Sequence, residues 1–176
     1  MSKLRSYLPV FIKRIAWNWK HWKRIDAAAC PHDLLECLST LEPNSAVLDL
    51  GCGPGNLRAA LRLRGWSGHF IGVDISEKAI EVAKKSEDNN AEWHVSAIEN
   101  FQIPNQEVST ICLCESIYYV KLGAVPSKVE RWRQALVYPG GRIVIRIWHA
   151  DRHREYIALL SRLGTQSNPP IYSLFS

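Results

Sequence analysis

The chain has 176 residues, of which 47% are hydrophobic and 22% are charged, and it contains seven tryptophans. This length fits one domain, and this composition excludes a disordered or collagen-like chain. No apolar run approaches the roughly 20 residues that a membrane-spanning helix needs. We therefore expect neither a membrane span nor a signal peptide.

The five cysteines are an odd set without a C-x-x-C pair, which argues against a disulfide framework and against a zinc knuckle. We expect a cytoplasmic protein without a metal site. Cys112 and Cys114 lie two residues apart in an apolar stretch, and this spacing places them on the same face of a strand. Buried packing is the expected role of both thiols.

The positive charge is concentrated at the amino end. Residues 1–26 carry a net charge of +6, and residues 27–176 carry −1. We therefore divide the chain into a basic, Trp-rich helical arm over 1–26 and a near-neutral domain over 27–176. A domain without a basic face makes a nucleic-acid partner an unfavoured reading.

The predicted elements alternate between helices and strands. In chain order they are one or two helices within 8–25, a helix over 31–41, a strand over 46–50, a helix over 56–64, a strand over 69–74, a helix over 76–85, strands over 92–95 and 109–114, a helix over 127–136, a strand over 142–148 and a helix over 151–163. Strands separated by crossover helices predict an α/β, doubly wound, mostly parallel sheet with five clear strands.

A glycine turn follows the first strand in the segment VLDLGCGPGNL. Gly51, Gly53 and Gly55 let the backbone approach a ligand closely, and the helix that follows favours an anionic group. Asp74 ends the next strand, where an acid can accept hydrogen bonds from both hydroxyls of a ribose. The G-x-G-x-G spacing differs from that of pyrophosphate binders and indicates a nucleoside with an amino-acid tail.

The segment VLDLGCGPGNL resembles motif I of the class I S-adenosylmethionine (SAM)-dependent methyltransferases, and GVDIS resembles their acidic loop. Three further segments match in order: SAIENF the adenine loop, ICLCESIYYV the fourth strand with its exit loop, and LVYPGGRIVI the entry to the fifth strand. The resemblance covers about residues 44–148. It implies a Rossmann-like fold and SAM as the cofactor.

The resemblance assigns the cofactor contacts residue by residue. The glycines would surround the methionine part, Asp74 would hold the ribose, and the adenine would lie between Ile75 and Ile98. Many relatives carry an aspartate where this chain has Ser96. The implied SAM-binding set is Asp49, Gly51, Cys52, Gly53, Gly55, Asp74, Ile75, Ser96, Ala97, Ile98 and Glu115. Two structural alternatives remain: Asp74 as a helix N-terminal acid, and Asp49 as a buried carboxylate that only organises the turn.

The acceptor should lie where the fourth strand ends, outside the carboxyl ends of the sheet. Methyl transfer from a sulfonium needs positioning more than a base. Glu115 or His149 could remove a proton from the acceptor, and Tyr118 or Tyr119 could face the positive sulfur. Alternatively, Glu115 makes a structural or cofactor hydrogen bond, the two tyrosines pack, and His149 is a surface histidine.

The family sheet usually ends in an antiparallel hairpin. After residue 164 the chain supports at most one short strand over 171–175, so we expect the hairpin to be shortened or missing. The fifth strand would then have an open edge unless the tail, another subunit or a longer native sequence covers it. An open apolar edge invites self-association.

The sequence thus predicts a methyltransferase that acts on a small-molecule acceptor. The alternatives are an RNA or protein methyltransferase that docks through the basic arm, and a SAM-binding partner or sensor without turnover. Because Trp17, Trp19 and Trp22 are costly to leave in water, we expect the arm to fold over the cleft. The alternative is a basic amphipathic helix that lies on a membrane or a nucleic acid.

Overall fold

The computed structural model describes residues 7–19, 24–103, 108–137, 140–166 and 171–175. The helices are α1 (Val10–Asn18), α2 (His32–Cys37), α3 (Asn56–Leu63), α4 (Glu77–Lys84), α5 (Val125–Ala135) and α6 (Arg154–Leu160). The strands are β1 (Val47–Leu50), β2 (Phe70–Asp74), β3 (Ala91–Val95), β4 (Thr110–Cys114), β5 (Arg142–Arg146), β6 (Thr165–Gln166) and β7 (Ile171–Phe175). Short 3-10 helices lie at Ala27–Ala29, Ile117–Tyr119, Leu122–Ala124 and Ala150–Arg152.

These strands form one sheet in the order β3-β2-β1-β4-β5-β7-β6. The first five are parallel, and their order reverses between β1 and β4, so that the loops after β1 and β4 leave the sheet side by side. Ligands of doubly wound sheets bind in the crevice at such a reversal. The expected doubly wound, Rossmann-like sheet is confirmed, and its topology places the glycine turn beside the loop after β4.

The carboxyl-terminal edge differs from our expectation. Strand β7 pairs antiparallel with β5 along its whole length, from Arg142 opposite Phe175 to Arg146 opposite Ile171. The two-residue strand β6 pairs with β7 in turn. We expected the hairpin to be either shortened or missing. It is present in a shortened form. The fifth strand has no open edge, because the tail strand β7 pairs all five residues of β5, as in the alternative in which the tail covers it. The argument for self-association through that edge is lost with it.

The sheet separates two apolar layers, since successive side chains on a strand point to opposite faces. Leu48 and Leu50 of β1 pack with β4, β5, α5 and α6 on one face, while Val47 packs with Leu34 of α2 and Leu61 of α3 on the other. Cys112 is fully buried in the second layer, and Cys114 packs against that layer. The expected burial is confirmed for Cys112, whereas Cys114 is only partly buried.

The close packing of β2 against β3 requires glycine at position 72. A Cβ at Gly72 would lie 2.5 Å from Cζ3 of Trp93 and 3.1 Å from Sγ of Cys52. Trp93 is held in turn by the ring of Phe70, with the ring centroids 5.4 Å apart. The indole ring therefore occupies the space that a larger residue at 72 would need.

We expect Gly72→Ala to lower the free energy of unfolding by about 1–3 kcal/mol, because overpacking displaces the indole ring. Gly123→Ala is the matched control, since a Cβ there meets no atom within 4 Å. Urea unfolding of both variants measures the difference. Equal stability of the two variants would contradict this account of Gly72.

Within the described ranges, no helix is both long and apolar enough to cross a membrane.

Candidate active site

A cavity of about 580 Å³ lies at the carboxyl ends of the parallel strands. Its lining comes from the loops after β1, β2, β3, β4 and β5 and from helix α1. The lining residues are Lys13, Trp17, Gly51, Gly53, Asp74, Ile75, Ala97, Ile98, Glu99, Cys114, Glu115, Ser116, Tyr118, Tyr119, Arg146, Trp148 and His149. The cavity thus brings together residues that we expected to bind the cofactor and residues that we expected to lie beside the acceptor.

The turn after β1 bends sharply because its glycines adopt positive φ angles. These angles are 93° at Gly51, 54° at Gly53 and 88° at Gly55, all in the region that favours glycine. A Cβ at Gly51 would lie 2.6 Å from Cβ of Ser116 in the loop after β4. Gly51 and Gly53 line the cavity, while Gly55 lies against Trp93 and does not. Cys52 is buried within the turn and is also absent from the lining.

Asp74 connects the ends of the first two loops. Its Oδ2 accepts a hydrogen bond from the backbone N–H of Gly53, and its Oδ1 accepts one from the N–H of Ser76, both at 2.8 Å. The carboxylate is buried yet lines the cavity. A carboxylate oxygen can accept more than one hydrogen bond. Asp74 therefore fixes the glycine turn and can also receive hydroxyl groups of a ligand.

Asp49 lies behind the glycine turn rather than on the cavity wall. It is 3% exposed, and its Oδ1 has no hydrogen-bond partner in the structure. Burial, together with the negative charge of Asp74, raises the pKa of Asp49 to about 7. This carboxyl group can thus be protonated near neutral pH, and its side chain does not reach the cavity lining.

The raised pKa of Asp49 predicts a pH-dependent stability. In the unfolded chain its pKa is near 3.8, so between that pH and about 7 the folded protein keeps a proton that the unfolded chain releases. The free energy of unfolding should therefore fall as the pH rises from about 4 to about 7, by roughly 1.4 kcal/mol for each unit of the pKa shift.

We expect Asp49→Asn to remove this part of the pH dependence, because an amide does not titrate. Urea unfolding across this pH range would test it, with the exposed Asp151→Asn as the control. If Asp49→Asn leaves the slope of the profile unchanged, the assignment is wrong.

The apolar part of the cavity matches the region expected for adenine. Ile75, Ala97 and Ile98 line it. Ser96 does not reach the lining, and its hydroxyl donates to the carbonyl oxygen of Ala97 at 3.1 Å. The acidic side chain on this wall is Glu99, three residues further along the chain. The sequence analysis considered only Ser96 for an acidic role in this loop and did not single out Glu99.

Glu115 has a strained backbone, with a φ angle of 56°. Both oxygens of its carboxylate accept hydrogen bonds. Oε1 accepts from Nη1 of Arg146 at 3.0 Å and from the backbone N–H of Trp148 at 2.6 Å. Oε2 accepts from the Tyr118 hydroxyl at 3.4 Å. Glu115 therefore joins the loops after β4 and β5, as in the alternative that gave it a structural hydrogen bond.

The other two expected catalytic residues also line the cavity. The Tyr118 ring stacks on His153, with the ring centroids 4.1 Å apart. Burial and the nearby Glu115 carboxylate raise the pKa of Tyr118 well above its usual value. At neutral pH Tyr118 is thus a hydrogen-bond donor and not a base. His149 is exposed at the mouth of the cavity, next to Trp148.

Arg146, at the end of β5, was missed by the sequence analysis. Its Nε donates to both carboxylate oxygens of Asp33 in α2 at 2.9 Å, and its Nη1 donates to Glu115. The guanidinium also lies 5.0 Å from the centroid of the Trp148 ring. Strand β5 has the sequence RIVIR, and a charged residue at its carboxyl end, where ligands of such sheets bind, was the available signal. Asp33, Arg146 and Glu115 form one chain of charges beneath the acceptor side, which we call the acid–arginine chain.

Helix α1 contributes a second unexpected contact. The Lys13 ammonium group is buried and donates to Oε1 of Glu99 at 2.7 Å and to the carbonyl oxygen of Tyr119 at 3.0 Å. The Trp17 ring meets the Tyr119 ring edge to face, with the centroids 5.6 Å apart. Helix α1 therefore covers part of the cavity. Trp22, the third tryptophan of the arm, lies outside the described residues.

Comparison with known proteins gives the family. The family profile described as "Methyltransferase domain" matches residues 47–141, which is more than half of the chain. A ribosomal protein L11 methyltransferase of Burkholderia thailandensis is 39% identical over 107 residues, covering 60% of this chain and 33% of its own length. A protein of Streptomyces fradiae described as an uncharacterized 37.1 kDa protein in transposon TN4556 is 29% identical over 104 residues, covering 58% of this chain and 30% of its own length. The chain spans a third or less of the length of these relatives.

Solved structures show the same fold. A SAM-dependent methyltransferase of Mesorhizobium loti aligns with a TM-score of 0.55 and 24% identity, over 64% of this chain and 51% of that one. A geranyl diphosphate C-methyltransferase of Streptomyces coelicolor, solved with Mg²⁺, geranyl diphosphate and S-adenosyl-L-homocysteine, aligns with a TM-score of 0.56 and 20% identity, over 74% and 57% of the two chains. With the family match over the glycine turn, Asp74 and the loop after β4, the chain belongs to the class I SAM-dependent methyltransferases.

Proposed function

We propose that this protein transfers a methyl group from SAM to a small-molecule acceptor by in-line displacement. The observation that carries the proposal is the shared cavity, in which the glycine turn and Asp74 face the loop that follows β4. A cofactor held on the first wall would present its reactive end to an acceptor held on the second.

The residues of the first wall fit SAM. Gly51 and Gly53 leave backbone exposed to the amino-acid tail, Asp74 offers carboxylate oxygens for the ribose hydroxyls, and Ile75 and Ile98 offer apolar contacts for the adenine. SAM would supply a methyl group on a positively charged sulfur, with a neutral thioether as the leaving group. The protein then has to bind, orient and exclude water.

On the second wall, we assign positioning to Glu115 and hydrogen bonding to Tyr118. Glu115 is engaged by Arg146 and by the backbone of Trp148, so it fixes the relation between two loops. The raised pKa of Tyr118 keeps its hydroxyl protonated. His149 is the remaining candidate to accept a proton from the acceptor, since its side chain is exposed at the mouth of the cavity.

Two observations favour a small acceptor. Helix α1 closes one side of the cavity through Lys13 and Trp17, which limits the space for a folded macromolecule at that side. The acceptor wall is lined by the rings of Tyr118, Tyr119 and Trp148. Such rings favour planar or cationic small molecules.

A protein acceptor is the second candidate. The observation in its favour is the 39% identity to a ribosomal protein L11 methyltransferase, although this chain covers only 33% of that relative. Binding of SAM without any transfer, as in a partner or sensor subunit, is the third outcome that an experiment must separate.

The test combines calorimetric titration with SAM and a transfer assay with methyl-labelled SAM. Acceptors in the assay are amines, phenols, carboxylates, ribosomal proteins and RNA. We expect SAM binding and transfer to at least one small-molecule class. Gly51→Val, whose side chain would collide with Ser116, should lose both, and Gly123→Ala should keep both. Transfer to proteins or RNA alone, or binding without transfer, would overturn the proposed acceptor class.

A further inference from the structure

The outer face of helix α1 is entirely apolar. The exposed side chains between Val10 and Trp19 are Phe11, Ile12, Ile15, Ala16 and Trp19. Phe11, Ile15 and Trp19 are 64%, 54% and 80% exposed and follow one another at intervals of four residues, so they form one stripe along the helix. We call these three residues the outer stripe.

Neither charged residue of this helix belongs to the outer stripe, although the Arg14 side chain is 41% exposed. Lys13 is 5% exposed and forms an ion pair with Glu99. Nη1 of Arg14 lies 3.5 Å from Oε1 of Glu77. A surface helix normally has the opposite arrangement, with its apolar side against the core. Exposing two large aromatic side chains and an isoleucine together is costly in water, and such a stripe marks a contact surface.

The sequence on both sides of the helix is strongly basic. Lys3 and Arg5 precede it, and Lys20, Lys23 and Arg24 follow it. The rest of the chain, residues 27–176, carries a net charge of −1. The partner of this surface should therefore combine an apolar interior with a negatively charged boundary.

We propose that the outer stripe of α1 binds the surface of an anionic lipid bilayer, with the helix lying in the plane of the interface. The apolar side chains enter the boundary between headgroups and acyl chains, and the net positive charge of residues 1–26 attracts anionic headgroups. Tryptophan and phenylalanine are well suited to this boundary, because their rings are apolar and large.

Two other occupants fit less well. A nucleic acid offers phosphates to the basic residues but gains little from an apolar stripe. A second copy of this chain would bring two arms of +6 together, and like charges repel. Charge complementarity and the apolar stripe together select the lipid surface.

The experiment is flotation of the full chain with vesicles of phosphatidylcholine alone or mixed with phosphatidylglycerol. We expect binding to the mixed vesicles, little binding to phosphatidylcholine, and weaker binding at high salt. The triple variant Phe11→Ser, Ile15→Ser, Trp19→Ser should bind at least about tenfold more weakly, because it removes the buried apolar area.

The matched control is the triple variant Leu63→Ser, Val95→Ser, Val137→Ser. These three side chains are also exposed and apolar but lie elsewhere on the domain. The control should bind vesicles like the unchanged protein, and both variants should keep their affinity for SAM, which separates this test from that of the proposed function.

Three outcomes would overturn the proposal. The first is equal vesicle binding by the two triple variants. The second is a dimer, seen by sedimentation, that the outer-stripe variant abolishes while no vesicle binding occurs. The third is binding to RNA in place of vesicles.

Discussion

Replacing Asp74 by alanine is expected to weaken SAM binding by at least about a hundredfold. If SAM binds as proposed, its two ribose hydroxyls would donate to this carboxylate, and each charge-assisted hydrogen bond contributes roughly 1.5–3 kcal/mol. The same substitution also removes the hydrogen bond that the Gly53 N–H donates to Oδ2 of Asp74 at 2.8 Å. The glycine turn would then lose the contact that fixes its geometry.

Calorimetric titration with SAM and with S-adenosylhomocysteine measures the effect. Asp151→Ala is the matched control, because it deletes a carboxylate whose side chain is 93% exposed and which pairs only with Arg154 on the surface. Circular dichroism of both variants separates loss of the ligand from loss of the fold. An Asp74→Ala variant that is folded and binds SAM as tightly as the control would contradict the assignment of the site.

The local patterns of the sequence sufficed for most of the fold. Apolar runs of four to five residues, each bounded by glycine or a polar turn, predicted β1, β2, β4 and β5 to within about two residues at either end. The predicted helix over 151–163 is in fact the 3-10 helix Ala150–Arg152 followed by α6 at Arg154–Leu160. Helix ends are determined by capping contacts that periodicity does not contain.

The terminal hairpin shows where such patterns fail. The segment 171–175 was recognised as one possible short strand, yet the hairpin was judged too long for the remaining chain. In the structure β6 needs only two residues, and β7 alone pairs the full edge of β5. Pairing between strands that are distant in sequence depends on tertiary contacts rather than on the composition of the segment.

The two cavity contacts that the sequence did not reveal are both long-range charge pairs. Lys13 and Glu99 are 86 residues apart, and Asp33 and Arg146 are 113 residues apart. A motif compares residues within one segment, so neither pair could emerge from a motif. In the sequence analysis Lys13 contributed only to the net charge of the arm, whereas in the structure its ammonium group is buried and paired with Glu99.

The acid–arginine chain leads to the second large prediction. The Arg146 side chain is 7% exposed, and it neutralises Asp33 and Glu115 at distances of 2.9–3.0 Å. Removing one partner of a buried pair leaves an uncompensated charge, which costs about 3–5 kcal/mol. We therefore expect Arg146→Met to lower the free energy of unfolding by this amount. The loss of a partner for Glu115 should also loosen the contact between the loops after β4 and β5, and hence the acceptor wall.

Urea unfolding of four variants tests this account: Arg146→Met, Asp33→Asn, the double variant of these two, and Arg142→Met. Arg142→Met is the matched control, because Arg142 lies in the same strand but makes an exposed hydrogen bond to the Thr40 hydroxyl at 3.1 Å. Its effect should stay below about 1 kcal/mol. The double variant Asp33→Asn, Arg146→Met removes one of the stranded charges, so it should be more stable than Arg146→Met alone, and a double-mutant cycle gives the coupling between the two residues. If Arg146→Met costs no more than Arg142→Met, the chain of charges does not stabilise the fold. If the cycle closes without coupling, the contribution of Arg146 lies in its contacts with Glu115 and Trp148 rather than in its pair with Asp33.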